Sequence, residues 1–465
     1  MSPRYTTFPM RFYPTVGLEV HVELKTKSKM FCSCPVGEWE EPNTAVCPIC
    51  MGHPGTLPVP NRGAVVFAVA LGLALEGEVS RVSQFYRKNY FYPDLPKGYQ
   101  ITQYSVPIVR NARLLGVRVE RINLEEETAK SLHVEDGSVL LDFNRAGIPL
   151  LEIVSAPDIR DPEDAKRYLV ALQSAVRFLG ISDAHMEKGQ MRVDVNVSVS
   201  PDPDHLGTKV EIKNLNSFKA VADAIRYEIE RQSEVLSSGG VVLHETRMWN
   251  GKSTEPMRVK ETESDYRYFP EPDIPPLYVG DDVLEEAKGM LVEMPWDKER
   301  RYVEEGVPSH LASVIAYDVA LSEAYERVKD VDPKLTADLL TNVVVGKLNK
   351  AGRSLREFDV VGFGEFVRAF KEGRFIREYL KEGIERHINE GVPFAEVIAS
   401  APRSEEVDVR PFVEELIRNN PKEVEKYRKG QKGVIGFFVG QVMRRYRGKV
   451  DPREVRKVVE EMLEG

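Results

Sequence analysis

Cysteine is scarce in this chain: four residues in 465, none outside the segment Cys32–Cys50. That excludes the dispersed disulfide framework of a small secreted domain. Long apolar runs are missing too. The longest, Gly63–Leu75, stops at Glu76; it falls short of the roughly 18 residues a spanning helix needs and reads as a buried core helix. The opening MSPRYTTFPMRF carries two arginines with no apolar stretch behind them. A secretory signal is therefore not expected, and a cytoplasmic location is. Internal repeats and low-complexity tracts are absent, although 30 prolines and 33 glycines imply many turns. The familiar phosphate loops are missing as well. Gly251-Lys252-Ser253 has Thr246 where a P-loop needs glycine, and Gly362-Phe363-Gly364 is followed by Val367 instead of the third glycine of a dinucleotide fingerprint. There is no G-x-S-x-G elbow either. Finally, basic charge is in deficit, 64 Lys and Arg against 73 Asp and Glu for a net −9, which on global charge argues against a nucleic-acid partner.

What is present is an ordinary globular composition, with 42% hydrophobic and 9% aromatic residues, and a length that suggests about three domains. Up to about Tyr278 the chain alternates short apolar runs with Gly-Pro turns, interrupted by helical patterns at Asp161–Leu179 and Ala220–Leu236. The proline-dense Phe269–Leu277 reads as an extended linker or domain boundary. Beyond Pro295 the pattern becomes amphipathic helix, at Ala312–Lys329, Pro333–Lys350 and Gly362–Glu372. A second break falls at Ala399–Asp408. The expected class is α+β followed by two all-α parts: residues 1–294, 295–404 and 405–465.

The four cysteines are spaced C-x-C, twelve residues, C-x-x-C. Two facing knuckles of this kind, turned by Pro35, Pro48 and Gly52, would let Cys32, Cys34, Cys47 and Cys50 converge on Zn²⁺. Four thiolates leave no open position, so the role is structural. The competing reading is a redox pair at Cys47 and Cys50.

Chemistry is expected on the strands. In Gly17–Leu24 the apolar residues alternate with Glu19, His21 and Glu23, because strand side chains point to opposite faces in turn. Met191–Val199 sets Arg192, Asp194, Asn196 and Ser198 against valines, and Lys209–Lys213 sets Lys209, Glu211 and Lys213 against Val210 and Ile212. Glu152 is the lone acid in the apolar run Ile148–Val154, and Leu124–Glu127 adds three consecutive carboxylates. A solvated sheet face would account for any one of these strands. Together, imidazole and carboxylates on one face suit a divalent cation, with Lys and Arg left for phosphate oxygens. The loop Arg87–Gln103 is basic and aromatic, and is suited either to a base or phosphate contact through Lys88 and Lys97 or to plugging the core.

Seven strings carry a resemblance: GLEVHVEL, KSKMFCSCP, EPNTAVCPICMGHPGTLPV, RKNYFYPDLPKGYQITQY, LDFNRAGIPLLEIVS, GTKVEIKNLNSF and DYRYFPEPDI. In this order they resemble the GatB family of the tRNA-dependent amidotransferases, from Gly17 to the last residues. The resemblance implies a glutamine-synthetase-like cradle on a mainly antiparallel sheet, with a zinc knuckle, a helical domain and a tail that touches tRNA. It implies a GatCAB heterotrimer, with the amidase GatA and the small GatC as partners. In that complex ATP and Mg²⁺ activate the side-chain carboxylate of Glu-tRNA(Gln) or Asp-tRNA(Asn), and ammonia from glutamine then forms the amide. Carried over, His21, Glu152 and one of Glu125 and Glu126 would hold magnesium, assisted by Glu19 or Glu211. Lys88, Tyr90, Arg192, Glu211 and Lys213 would face the nucleotide. The acidic triplet departs from the common family string, which leaves the choice among Glu125, Glu126 and Glu127 open. Two alternatives are a relative specialised for Glu-tRNA(Gln), of the GatE type, and a non-catalytic, zinc-containing tRNA scaffold. A third is a stand-alone ligase for a free acid.

The global charge conceals a basic tail. Between Lys426 and Lys457 eleven Lys and Arg oppose only Asp451 and Glu454. Lys429, Lys432, Arg444, Arg445 and Arg447 are the candidates for tRNA phosphates. Gly433, Gly436 and Gly440, interleaved with Phe437 and Phe438, suggest close packing behind that helix.

Overall fold

The computed structural model describes residues 12–259, 266–402, 408–446, 450 and 452–464. It divides into two compact units, before and after the Asp297/Lys298 junction. In chain order the first unit contains strand β1 (Tyr13–Glu23), helix α1 (Arg62–Ala74), β2 (Glu78–Val79), β3 (Val82–Ser83), β4 (Phe85–Asn89) and β5 (Tyr99–Gln103). Then come β6 (Val109–Leu114), β7 (Val117–Glu126), β8 (Lys130–His133), β9 (Val139–Asp142), β10 (Pro149–Ser155) and α2 (Pro162–Phe178). The unit continues with β11 (Met191–Ser200), β12 (Val210–Lys213), α3 (Phe218–Ser237), β13 (Glu245–Trp249), β14 (Thr254–Val259), β15 (Phe269–Pro270) and β16 (Leu277–Tyr278).

Nine strands form one sheet in the order β14-β13-β12-β11-β1-β10-β7-β6-β2. Every pair in it is antiparallel except β12 with β13. The two-residue period sorts the side chains as the sequence leads one to expect. Leu18, Val20 and Val22 are buried from β1, and Val193, Val195 and Val197 from β11. Helices α1, α2 and α3 pack against the sheet. Helix α1 is the apolar run Gly63–Leu75, started by Asn61, whose side chain accepts from the Ala64 N–H; such a cap is worth about 1 kcal/mol. Helix α2 is capped by Asp161, with proline at its first position, as the D-P-E-D string predicts.

A smaller sheet, β15-β4-β5, docks on β7. This corrects the reading of Phe269–Leu277. The segment is extended, but it is no boundary: β15 pairs with β4 and β16 with β3. Buried Glu271 accepts two hydrogen bonds from Arg87, at 2.7 and 2.8 Å. Prolines suit such an edge strap, which needs few ladder donors.

The second unit is helical and holds two apolar clusters, one from Tyr302 to Val397 and one from Val409 to Leu463. The stretch Ala312–Lys329 is two helices, not one. It breaks between Ser309–Ala316 and Val319–Glu326, where Asp318 caps the second helix. Pro333–Lys350 is helical but includes a wider π turn at Leu340–Val344. The break expected at Ala399–Asp408 lies partly outside the described residues. Among those described, no helix is long and apolar enough to cross a membrane.

Candidate functional site

The polar face of the nine-stranded sheet gathers its charged groups at β1, β10 and β7. Register places His21 opposite Glu152, and Glu152 opposite Asn123. Glu19, His21 and Glu152 each offer a ligand atom within 4.8 Å of the others. His21 Nε2 also lies 3.5 Å from Glu125 Oε2 and 4.0 Å from Glu19 Oε1. Asn123 Nδ2 donates to Glu152 Oε2 at 2.7 Å, and Arg121 Nε stands 3.9 Å from the same oxygen.

The acidic triplet is divided. All three carboxylates are buried, but alternation sends them different ways. Glu125 faces His21 and is held by Thr102 and Gln100. Glu126 is not brought to this cluster: it bonds Lys97 and accepts the Ile101 N–H at 3.0 Å. Glu127 is engaged by Arg145 and Arg192. Lys97, one of the two candidates for phosphate contact, pairs with Glu126. Arg192 is likewise committed to Glu127. Farther along the face, Lys213 pairs with Asp194 and lies 3.8 Å from Glu211, whose other oxygen accepts from Thr246.

Lys88 reaches the cluster from the small sheet. Its ammonium sits 4.9 Å from the centre of the Tyr266 ring and 5.9 Å from that of Tyr90, within cation–π range. Tyr268, stacked on Tyr104 at 4.3 Å, completes an aromatic wall. Tyr266, Tyr268, Asn123 and Arg121 are the neighbours that sequence reasoning missed. Reading the period-two pattern back from Glu125 gives Asn123 and Arg121. Nothing local announces the two tyrosines, which arrive from some 180 residues away.

Electrostatics separates these groups. Burial opposes the charge of His21, but Glu125, Glu19 and Glu152 outweigh it and raise its pKa to about 9. Burial also works to raise Glu125, yet His21, Lys88 and Thr102 bring it down to about 2. Glu152 goes the other way, to about 7, through burial and then the charges of Glu125 and Glu19. Burial disfavours the Lys88 charge, and the surrounding Tyr268, Glu125, Tyr90 and Glu152 more than restore it, raising its pKa. The protein's own cations thus leave Glu152 under-compensated. Asn123 Oδ1 beside it is buried without a partner, the kind of acceptor that a metal-bound water satisfies. Carboxylate oxygens fit Mg²⁺ or Mn²⁺, and the His21 imidazole could join them once an entering cation displaces its proton.

The cysteines form a second candidate metal centre. Their four sulfurs lie within 4.8 Å of one another. Cys47 N–H points at Cys50 Sγ at 3.2 Å, and the Met51 N–H closes the knuckle on Cys47 O. The thiol of Cys32 donates to Cys50; against burial, that bond, the Cys47 N–H and nearby Lys29 bring the Cys50 pKa down to about 4. The bond to Cys50 raises Cys32, and burial together with the neighbouring sulfurs raises Cys34. The set thus holds one thiolate and shares its protons until a metal displaces them; four converged sulfurs fit zinc.

In the tail, Lys429 pairs with Glu425 and Lys432 with Glu464. Arg445 lies over Phe412, and Arg444 is exposed. Arg447 lies outside the described residues. The glycine expectation is corrected: Gly433, Gly436 and Gly440 are exposed, and a Cβ on any of them would meet nothing within 4 Å. Packing falls instead to Ile435, Phe438 and Val442.

The sequence that builds a carboxylate-bearing antiparallel sheet, a four-cysteine knuckle and a helical tail is one that known proteins resemble. Residues 14–285 match the family model described as the GatB/GatE catalytic domain, and residues 322–463 match the one described as the GatB domain. The chain belongs to the GatB/GatE family. A relative from Persephonella marina is 43% identical over 474 residues, covering 98% of this chain and 100% of its own. One from Thermus thermophilus is 45% identical, covering 96% and 98%, and one from Crocosphaera subtropica 42%, covering 97% of each. All three are named as the B subunit of aspartyl/glutamyl-tRNA(Asn/Gln) amidotransferase.

Proposed function

We propose that this chain is the GatB component of a cytoplasmic, glutamine-dependent Asp/Glu-tRNA(Asn/Gln) amidotransferase, a ligase of translation. It would work in a heterotrimer with the amidase GatA and the small GatC. The observation that carries the reading is the under-compensated cluster of Glu19, His21, Glu125 and Glu152 on a rigid sheet, in a chain that aligns end to end with relatives of that name. A carboxylate oxygen of the tRNA-bound Glu or Asp attacks the γ-phosphorus of ATP, and ADP leaves. Ammonia then attacks the acyl carbon, and phosphate departs as the nitrogen loses a proton.

Phosphoryl transfer of this kind is mainly positioning and charge neutralisation. His21, Glu152 and Glu125, with Glu19 beside them, would hold magnesium, which when bound neutralises phosphate charge. Lys88, fixed between Tyr90, Tyr266 and Tyr268, would meet phosphate oxygens as a desolvated cation. Glu211 and Lys213 extend the same face toward the nucleotide. Glu126 and Arg192, each spent on a partner within the chain, serve in shaping the site. Zinc on the four cysteines would be structural. The basic tail, with Arg444 free to reach out, would contact the tRNA backbone. A domain plan of 1–294, 295–404 and 405–465 fits these roles. The relatives that align end to end carry the B-subunit name, so the relative specialised for Glu-tRNA(Gln) is not favoured.

The test is ATP hydrolysis by the purified complex with and without misacylated tRNA. Misacylated tRNA should raise the rate at least tenfold, an effect on the order of 1.4 kcal/mol. Turnover indifferent to tRNA would contradict the assignment.

A further inference from the structure

Lys88 does not belong to the sheet that carries the carboxylates. It stands on β4, in the small sheet, so its distance from Glu125 and Glu152 depends on how that sheet docks on β7. The seam is built from a few polar pegs. Gln103 accepts the Leu124 N–H at 2.9 Å, Glu126 accepts the Ile101 N–H at 3.0 Å, and Gln100 donates to Glu126 O at 2.8 Å.

The four-cysteine knuckle reaches this seam at two places. Phe31, next to Cys32, meets Phe85 edge-on at 5.3 Å, and Phe85 is the first residue of β4. Both rings are buried. Gly52, two residues past Cys50, runs at φ +66° against the stem of Lys97, where a Cβ would stand 2.4 Å from Lys97 Cγ. The Lys97 ammonium ends on Glu126, the peg that holds β5. A cavity of about 200 Å³ lies between these contacts, lined by Phe31, Cys32, Cys50, Lys97, Tyr99 and Glu126. The knuckle therefore touches the seam through few side chains, not a continuous wall.

We propose that the knuckle is a buttress that sets where Lys88 stands, with Phe31, Gly52 and Lys97 as its positioning residues. The proposal rests on the reading of Lys88 as the group that meets ATP phosphate. A closed four-thiolate centre is stiff, and close-packed interiors transmit displacement instead of absorbing it. Small misplacements of a phosphate-binding cation are costly to binding and rate. The knuckle would thus influence nucleotide binding without touching nucleotide.

The experiment measures equilibrium Mg·ATP affinity and bound zinc on the full-length chain in its complex. The variants are Gly52→Ala, Lys97→Ala, the double variant and Phe31→Leu. Gly52→Ala should keep its zinc yet weaken Mg·ATP binding about tenfold, and Lys97→Ala should do the same. The double variant should be no weaker than Lys97→Ala alone, because Gly52 acts through that stem. Phe31→Leu should retain zinc and weaken binding about threefold, through the other contact. Wild-type affinity in Gly52→Ala with zinc retained overturns the proposal. So do multiplying effects in the double variant. If Gly52→Ala releases zinc, Phe31→Leu decides: unchanged affinity with zinc retained overturns the buttress. A wild-type complex that binds no Mg·ATP would sink the functional reading itself, an outcome distinct from these.

Discussion

Two clusters of charge, half-buried in the helical unit and buried in the cradle, meet opposite fates. In the helical unit Glu326 is surrounded by Arg301, Lys329 at 3.3 Å, Lys298 at 3.6 Å and the Tyr302 hydroxyl at 2.8 Å. Burial works to raise its pKa, but Arg301, Tyr302 and Lys329 prevail and hold it at about 2. In the cradle Glu152 faces Glu125 and Glu19, and its pKa goes up to about 7. The residue type is the same and the shifts are opposite. A carboxylate compensated within its own chain stabilises the fold. One left under-compensated stores a demand for an outside cation. The difference separates a network satisfied within the chain from a cluster with carboxylate charge to spare, without reference to any relative.

The largest expected effect breaks the comparison on the functional side. Glu152→Gln should lower tRNA-dependent ATP turnover by about 10²–10³-fold, measured on the complex, with circular dichroism unchanged. Glu326→Gln should leave turnover near wild type when assayed well below its unfolding temperature. It should instead destabilise the helical unit by about 1 kcal/mol, since it removes the charge that Arg301, Lys329 and Lys298 share while Glu305 still pairs with Arg301 and Lys329; chemical denaturation reads that loss.

Acid and base then sharpen the contrast. Glu326 has a folded pKa below its ordinary 4.5. Its contribution is full above that value and disappears as pH falls toward 2. Glu152 has a folded pKa above 4.5. Its burden is absent below 4.5, grows as pH rises and is complete above about 7. In a divalent-free buffer at pH 8, Glu152→Gln should therefore stabilise the cradle by about 2 kcal/mol, and at pH 4 it should change little. A variant less stable than wild type at pH 8 would contradict this. The smallest effect lies in the tail, where Arg444→Ala should lower the salt slope of tRNA binding by about 1; an unchanged slope would free Arg444 of that role.

Much of this was legible in the sequence, for reasons that also mark where legibility ends. Strand alternation put Glu19, His21 and Glu23 on one face, because a two-residue period is a local property, but it left the choice among Glu125, Glu126 and Glu127 open. It could not say that β5 would dock on β7 and claim Glu126 for Lys97, since that pairing joins two sheets. The aromatic wall of Tyr266 and Tyr268 depends on a strap returning from far along the chain. The prolines of that strap looked like a linker because its pairing partners, β3 and β4, are remote. In the tail, glycines between phenylalanines suggested a packed face, whereas the helix turned its large residues inward and left the glycines bare. Cysteine spacing was more direct, because a C-x-x-C turn brings its own sulfurs together.

Unfolding of the full-length chain with and without magnesium ion tests the central claim most directly. The account predicts a higher unfolding midpoint with magnesium for wild type and for Glu326→Gln, and little or no rise for Glu152→Gln. Equal rises in all three, or none in wild type, would contradict it.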